Sequence, residues 1–525
     1  MAPSGDRVRS GMNGKTGISE TVLWGMVLVL WVGFLGLHTL WDLMGRDQGI
    51  FATIGVGMGD GQLPYRDLYD NKPPLTFVLN WLTFQVFASD DFAIRKMDYL
   101  ITIASALALA RLVVVMGGGI RLGVLAGASF AGFYYALELW FRAQTDGWAA
   151  AALVFGTLAL AQAWHRESLF HYGMAGVWFG VAFLFKYTVA PFGLLVFLPL
   201  LWRGAGRLSL AGFVTFAGTG LATLGICVLA MMALGIWPAF VDIQLYLFGY
   251  AGLEGPATRT LVKNALQTLG VAPFNLGLLV LGSIGGCYLF FRAQMRPLLW
   301  LAGVWFVLGL GAGIVQQKGW PYHFLPLLPG AAILAAMAPE LVLRMLDRWR
   351  PGRLALGGVV VVMLAVQPAS WASFNVIRLG IAQGFEMVPP NVLAANSFDH
   401  QDLADARDVL VELVPEDETF FLWGWEASLY QQTGRRAQHR FIHIWPFAVS
   451  YRDGRYTAEL MQRLQTDPPL AFVVQHSDAT MPATGEPRDS RQLLEAYPEL
   501  QEFLAQGYAL ERQINRFDIY LRRKM

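Results

Sequence analysis

Charge is scarce in this chain. Lysine, arginine, aspartate and glutamate make up 15% of its 525 residues, against about 25% in ordinary soluble proteins. Cysteine is nearly absent. Cys227 and Cys287 are the only two, and both fall inside apolar runs, where they read as packing residues rather than as a disulfide or a metal site. The net charge is +1, so overall charge gives no ground for a nucleic-acid partner. The sequence also shows no internal repeat, and no glycine-rich loop in a strand-to-helix setting that would bind a nucleotide phosphate. The glycines at 55–61 and 117–119 lack that context.

What is present is apolar surface. Hydrophobic residues are 55% of the chain and the mean hydropathy is +0.44, more than one soluble core can bury. The fold class is therefore an α-helical polytopic membrane protein. Apolar runs occur near 22–44, 99–116, 121–137, 147–164, 171–186, 188–202, 208–235, 266–291, 298–316, 323–342 and 354–370, about eleven transmembrane helices. Residues 1–20 read as a polar cytoplasmic tail. The run Thr21 to Leu40 is too long for a signal-peptide core and reads as a retained first span. Arg7, Arg9 and Lys15 place the tail inside.

Leu75 to Ala88 is short for a span. If it does not cross, Arg121, Arg166, Arg203, Arg207, Arg292, Arg296, Arg344, Arg348, Arg350 and Arg353 all fall on the side of the N-terminus, as the positive-inside rule requires. It is therefore expected to be an outer juxtamembrane helix. The first outer loop becomes 45–98, within a transmembrane domain of 21–370. From 371 to 525 charge density rises and long apolar runs stop. Helix, strand (Thr419–Trp423), helix, a buried strand in "LAFVVQHS" and a closing hairpin read as a small α/β extracytoplasmic domain.

On this topology several ionisable groups gather at the outer interface. Asp47 follows the first span and precedes a short helix, Gln48 to Met58. A carboxylate partly stripped of water at a membrane mouth suits a general base, although the residue also reads as a solvated loop aspartate. "DNKPPL" supplies Asp70 and Lys72 ahead of two prolines that set up a helix start. Lys72 reads either as a phosphate-binding cation or as a snorkelling lysine. "FRAQTDGWAA" carries Arg142 and Asp146. Asp146 reads as a helix-start charge or as a second acid facing Asp47. "QQKGWPYHFLPLLPG" brings Lys318, Tyr322 and His323 to the same depth, where they also read as an aromatic belt with an anchoring lysine. Arg95 completes the group. Ionisable groups in a membrane domain are functional candidates.

An acid after the first span followed by "DNKPPL" resembles the bacterial glycosyltransferase family 39 and the wider family of polyprenyl-phosphate-sugar transferases with the GT-C fold. That family includes aminoarabinose transferases of lipid A and protein O-mannosyltransferases. The acidic motif reads Asp47-Gln48 here, with glutamine in place of the usual second acid. "DFAIRKMDYL" and "LWGWEASLYQQTGRRAQHRFI" also look like segments of bacterial members. The resemblance implies a bacterial inner-membrane enzyme that takes a sugar from a polyprenyl-phosphate donor. The acceptor would be lipid A, another lipid, a cell-surface glycan or a protein. Asp47 would be the catalytic base of an inverting displacement. Lys72, Arg95, Arg142, Lys318 and His323 would bind the donor phosphate, and Asp146 and Asp70 would orient the acceptor. A divalent cation, Mg or Mn, shared by Asp47 and Asp146 is left open. The competing readings are a transporter or flippase for lipid-linked saccharides, and a membrane-anchored scaffold.

Overall fold

The computed structural model describes residues 16–523 except 89, 202–207, 252–257, 271–272, 291–294, 348–351 and 388–399. Arg7, Arg9, Lys15, Arg203, Arg207, Arg292, Arg348 and Arg350, used above to orient the chain, lie outside these residues.

The apolar runs form helices because nothing in bilayer hydrocarbon but the chain itself can satisfy a backbone N–H or C=O. Seven helices among the described residues are long and apolar enough to cross a membrane, or eight if a bent pair is one span. They are Glu20–Trp41, Ala93–Val115, Thr145–Arg166, Leu210–Ala233, Pro273–Phe290, Arg296–Ile314 and Pro321–Leu346, with Gly357–Ala365 and Pro368–Gln383 as the pair bent by 79°. The chain is thus a multi-pass membrane protein. Two further helices, Ile120–Tyr135 and Leu169–Phe185, have 16 and 17 residues. The run expected at 188–202 is instead a 3₁₀ helix, Tyr187–Leu201, of 15 residues with Pro191 and Pro199 inside it. At about 2.0 Å rise per residue it is ~30 Å long, enough to match the hydrocarbon with fewer residues than an α-helix needs.

Between the spans, α1 (Thr16–Gly36) passes through a 3₁₀ turn, Leu37–Trp41, into α2 (Arg46–Gly59). Next come α3 (Pro74–Phe87), α4 (Ala93–Val115), α5 (Ile120–Tyr135), α6 (Thr145–Arg166), α7 (Leu169–Phe185), α8 (Leu210–Ala233) and α9 (Trp237–Ala251). At 14 residues each, α2 and α3 are ~21 Å long, too short to span. They pack against each other. Two glycines permit this. A side chain at Gly55 would come within 2.8 Å of the Asn80 backbone on α3, and one at Gly49 within 2.8 Å of Ser428 in the C-terminal region. The catalytic-candidate helix is held on two sides.

The helix ends sort the charges. Asp146 starts α6 and Lys186 follows α7, and they meet at 3.0 Å. At the far ends Arg121 and Arg344 converge on Glu340, at 3.6 and 2.8 Å. On α8, Leu210, Leu221, Ile226 and Leu229 are exposed, the surface a lipid-facing helix presents.

After α10 (Thr258–Gly270), α11 (Pro273–Phe290), α12 (Arg296–Ile314), α13 (Leu328–Asp347) and α14 (Gly352–Ala365), α15 (Pro368–Gln383) packs back on the first span. Ser373 Oγ accepts the His38 N–H at 3.1 Å. The expected boundary at 371 therefore falls inside a helix that belongs to the bundle. The small domain follows. It comprises α16 (His400–Leu413), β1 (Phe420–Trp423), α17 (Ser428–Thr433), α18 (Trp445–Ala448), α19 (Gly454–Thr466), β2 (Ala471–Gln475), α20 (Met481–Thr484), α21 (Ser490–Leu494), α22 (Pro498–Gly507), and the hairpin β3 (Tyr508–Ile514) with β4 (Phe517–Arg522). The sheet order is β1-β2-β4-β3. β1 and β2 are parallel and the other pairs antiparallel. The expected strands are all present. β1 and β2 are buried throughout, whereas β3 forms the exposed edge and carries Glu511 and Arg512, charges that discourage further strand pairing.

Candidate functional site

Asp47 sits in the first turn of α2, where unpaired backbone N–H groups favour a negative charge. Gln48 fixes the turn. Its side-chain oxygen accepts the Gly45 N–H at 3.0 Å and its amide donates to the Arg142 carbonyl at 2.8 Å. Glutamine in place of an acid at this position is thus a structural tie.

The chain returns at "DNKPPL". Pro73 precedes α3 and Pro74 begins it, so the backbone of 70–74 is stiff before the helix starts. Lys72 Nζ stands 3.9 Å from Asp47 Oδ1, with side chains 20% and 29% exposed. It also lies 5.6 Å from the Phe51 ring centroid. Burial alone would push this ammonium down. The Asp47 and Asp70 carboxylates outweigh it and hold the group above the ordinary lysine range. Asp70 is buried beside it, and desolvation raises its carboxyl while Lys72 and two backbone N–H groups pull it back.

Asp146 is fully buried. It does more than start a helix. Lys186 approaches one oxygen at 3.0 Å and Gln316 donates to the other at 3.2 Å. Its charge is felt at Lys72 and at the Tyr322 hydroxyl, which also feels Asp47. Lys318 is nearly buried, with its ammonium 4.3 Å from the Tyr250 ring centroid. His323 is also buried and feels the charges of Lys186, Lys72 and Lys318. Asp47, Asp70, Lys72, Asp146, Lys318 and His323 are therefore brought together, as the sequence suggested. Lys186, Tyr250, Tyr322 and Gln316 join them.

Arg95 and Arg142 lie elsewhere. Both are 1% exposed. The Arg142 guanidinium pairs with Asp42 and contacts His38. Arg95 donates to the Leu43 carbonyl at 2.8 Å and to the Arg142 carbonyl at 3.4 Å. Asp98 completes this buried set, accepting from Tyr134 and from Trp148. These arginines brace the segment that leads into α2, instead of facing a departing phosphate as expected. A buried guanidinium needs a counter-charge and carbonyl acceptors, and Asp42 and two backbone oxygens supply them.

Lys186, Gln316 and Tyr250 are residues that sequence reading passed over, Lys186 because it falls in a short turn between two apolar runs. The one available signal was a cation at the outer end of a span. Among the described residues, no group of three or more His, Cys, Asp or Glu side chains is placed to hold a metal ion. Asp47 and Asp146 each face a lysine.

Three aspartates, among them the base candidate, and three lysines at one end of the bundle, with apolar helices beneath, can hold an anionic lipid headgroup and move a proton next to it. Known proteins show the same arrangement of helices. Residues 71–237 match the model of the family described as dolichyl-phosphate-mannose-protein mannosyltransferase. None of the curated proteins compared by sequence matches the chain. Among solved structures, ArnT from Cupriavidus metallidurans bound to undecaprenyl phosphate is similar with a TM-score of 0.58 at 15% identity, over 97% of this chain and 98% of that one. Its apo state gives 0.59 at 14% identity, over 96% and 98%. These likenesses show the GT-C fold over nearly the whole of the chain.

Proposed function

We propose that this GT-C protein is a membrane glycosyltransferase that moves a sugar from a polyprenyl-phosphate donor to an acceptor at the membrane surface. The acceptor is lipid A, another lipid, a cell-surface glycan or a protein. In this reading the protein sits in a bacterial inner membrane with its N-terminus in the cytoplasm. The site and the C-terminal domain then face outward, in keeping with the cationic helix ends Arg121, Arg166, Arg296 and Arg344 on the opposite side. The family match over 71–237 and the likeness to a protein crystallised with undecaprenyl phosphate support the donor class.

The observation that carries the mechanism is the Asp47–Lys72 contact. The acceptor oxygen or nitrogen attacks the anomeric carbon, and the bond from that carbon to the phosphate oxygen breaks. The electron pair leaves with the polyprenyl phosphate. Lys72 stabilises that growing charge, with Lys186, Lys318 and the Tyr322 hydroxyl close by. Asp47 takes the acceptor proton. One displacement inverts the anomeric centre. Asp146, with Lys186 and Gln316 fixing it, and Asp70 orient the reacting groups.

The test is sugar transfer in membranes with a panel of labelled polyprenyl-phosphate sugars, comparing wild type and Asp47→Asn at matched expression. Loss of transfer by about 10²–10⁴-fold is expected on removing the base. Full activity in the variant would reject Asp47 as base. Absence of transfer from every lipid-linked donor by wild type would reject the reading itself and revive a transporter.

A further inference from the structure

Tyr65 has a backbone conformation that a bulky residue rarely adopts. Its φ is 69°, in the left-handed region that disfavours a side chain with a Cβ. It is nonetheless fully buried. Its N–H donates to the Leu68 carbonyl at 2.7 Å, and its ring packs edge-on against Phe77 of α3 and Phe240 of α9. Such strain persists only where surrounding contacts over-determine it. Two of those contacts reach in opposite directions. The Tyr65 hydroxyl donates to the Lys72 carbonyl at 2.8 Å. The Tyr65 carbonyl accepts from Arg440 Nε, also at 2.8 Å.

Arg440 belongs to the C-terminal domain and is itself pinned. Its Nη1 donates to Glu459 at 2.8 Å. Its guanidinium lies 5.5–5.6 Å from the ring centroids of Tyr69, Phe441 and Tyr456, a set of cation–π contacts. Its backbone carbonyl accepts the Tyr69 N–H at 2.7 Å. One arginine therefore grips the loop at Tyr65 and Tyr69, on the N-terminal side of Asp70 and Lys72.

We propose that Arg440 is a positioning residue for Lys72, acting through Tyr65, so that the C-terminal domain sets where the phosphate-binding ammonium stands. This rests on the reading of Lys72 given above. The domain is then part of the donor site, not a cover over it. Arg440 touches no substrate; its grip on the Tyr65 carbonyl fixes the tyrosine whose hydroxyl fixes the Lys72 backbone.

The experiment measures binding of undecaprenyl phosphate to the full-length protein in nanodiscs, for wild type, Lys72→Gln, Arg440→Gln and Tyr65→Phe, and for each of the last two combined with Lys72→Gln. Arg440→Gln is expected to weaken binding about tenfold and Tyr65→Phe about fivefold, the scale of a hydrogen bond lost from a charged or a neutral donor. In the Lys72→Gln background neither should weaken it further, because residues acting through one group are non-additive. Full additivity, or unchanged binding in both single variants, would overturn the proposal. If Arg440→Gln fails to fold, Tyr65→Phe and Glu459→Gln carry the same comparison. The acetylation rate of Lys72 by acetic anhydride, read by mass spectrometry, needs no ligand. It should rise several-fold in Arg440→Gln and Tyr65→Phe, and an unchanged rate overturns the proposal. Wild type that binds no lipid phosphate while the labelling rates shift as expected would count against the functional reading alone.

Discussion

Lys186 meets Asp146 at 3.0 Å across the mouth of the bundle, the aspartate side chain fully buried and the lysine side chain 15% exposed. The two residues begin and end different helices, forty positions apart in the chain. Their contact brings a second charged pair to the face where Lys72 stands beside Asp47.

Removing one member of this pair leaves the other buried without a counter-charge. Asp146→Asn is expected to destabilise the protein by about 3–5 kcal/mol, read as a lowered Tm in detergent. Asp146→Asn combined with Lys186→Met should recover much of that stability, because two apolar or neutral groups need no pairing. Transfer activity should stay low in the double variant if Asp146 and Lys186 serve the reaction. Activity that returns together with stability would make the pair structural only.

Lys72→Gln keeps the length of the side chain nearly unchanged and removes its charge. In the proposed reaction it should lower kcat/KM by about 10²–10³-fold, the scale of losing one preorganised charge at a developing anion. The neighbouring carboxylates Asp47 and Asp70 lose a counter-charge, so fold stability must be checked in parallel. A variant with unchanged kcat/KM would remove Lys72 from the donor site.

Arg142 is held by Asp42 beneath α2. Asp42→Asn should destabilise the fold by about 3–5 kcal/mol, while the KM for donor in the folded fraction stays as in wild type. Asp42→Asn with Arg142→Leu should be more stable than Asp42→Asn alone. A rise in donor KM from Arg142→Lys, with Tm unchanged, would instead place the guanidinium on the phosphate.

His443 of the C-terminal domain lies buried 4.0 Å from Asp70. Burial, with the Lys72 charge adding to it, lowers its imidazole to about 3 from an ordinary 6.5. The unfolded chain then binds a proton that the folded one refuses between pH 6.5 and about 3. This contribution to stability is complete above pH 6.5 and is lost as pH falls through that window, with a slope of up to about 1.4 kcal/mol per pH unit. His443→Gln should flatten the acid limb of a Tm-against-pH curve. Asp70, whose carboxyl is raised by burial, acts in the opposite sense, so Asp70→Asn should steepen it. Superimposable curves for wild type and His443→Gln would reject this assignment.

Much of the molecule was legible from local pattern. Apolar run lengths gave a membrane protein. The fourteen-residue run after "DNKPPL" read as a juxtamembrane helix, and a helix of 14 residues, α3, forms there. Short apolar runs between polar segments gave the strand Thr419–Trp423 and the buried strand in "LAFVVQHS", which form at Phe420–Trp423 and Ala471–Gln475, and the closing hairpin. Charge bookkeeping across the spans put Asp47, Asp70, Lys72, Arg95, Arg142, Asp146, Lys318 and His323 on one side. The fold brings all of them together except the two arginines, which join Asp42 and Asp98 instead.

Three matters were decided only in three dimensions. Arg142 reads as a cation at a span end and Lys186 falls unremarked in a short turn, yet the first turns inward to Asp42 and the second meets Asp146. The sequence could not separate them, since a side chain's partner depends on which helices pack together. The run at 188–202 reads as one more apolar span, but two prolines, each lacking an N–H, sit in a long 3₁₀ helix there. Finally, the grip of Arg440 on Tyr65 joins residues 375 positions apart. The pattern along a chain determines what each segment is and on which side it lies. Which charge meets which is set by packing between distant segments, because a buried ion must find whatever partner the folded neighbours bring to it.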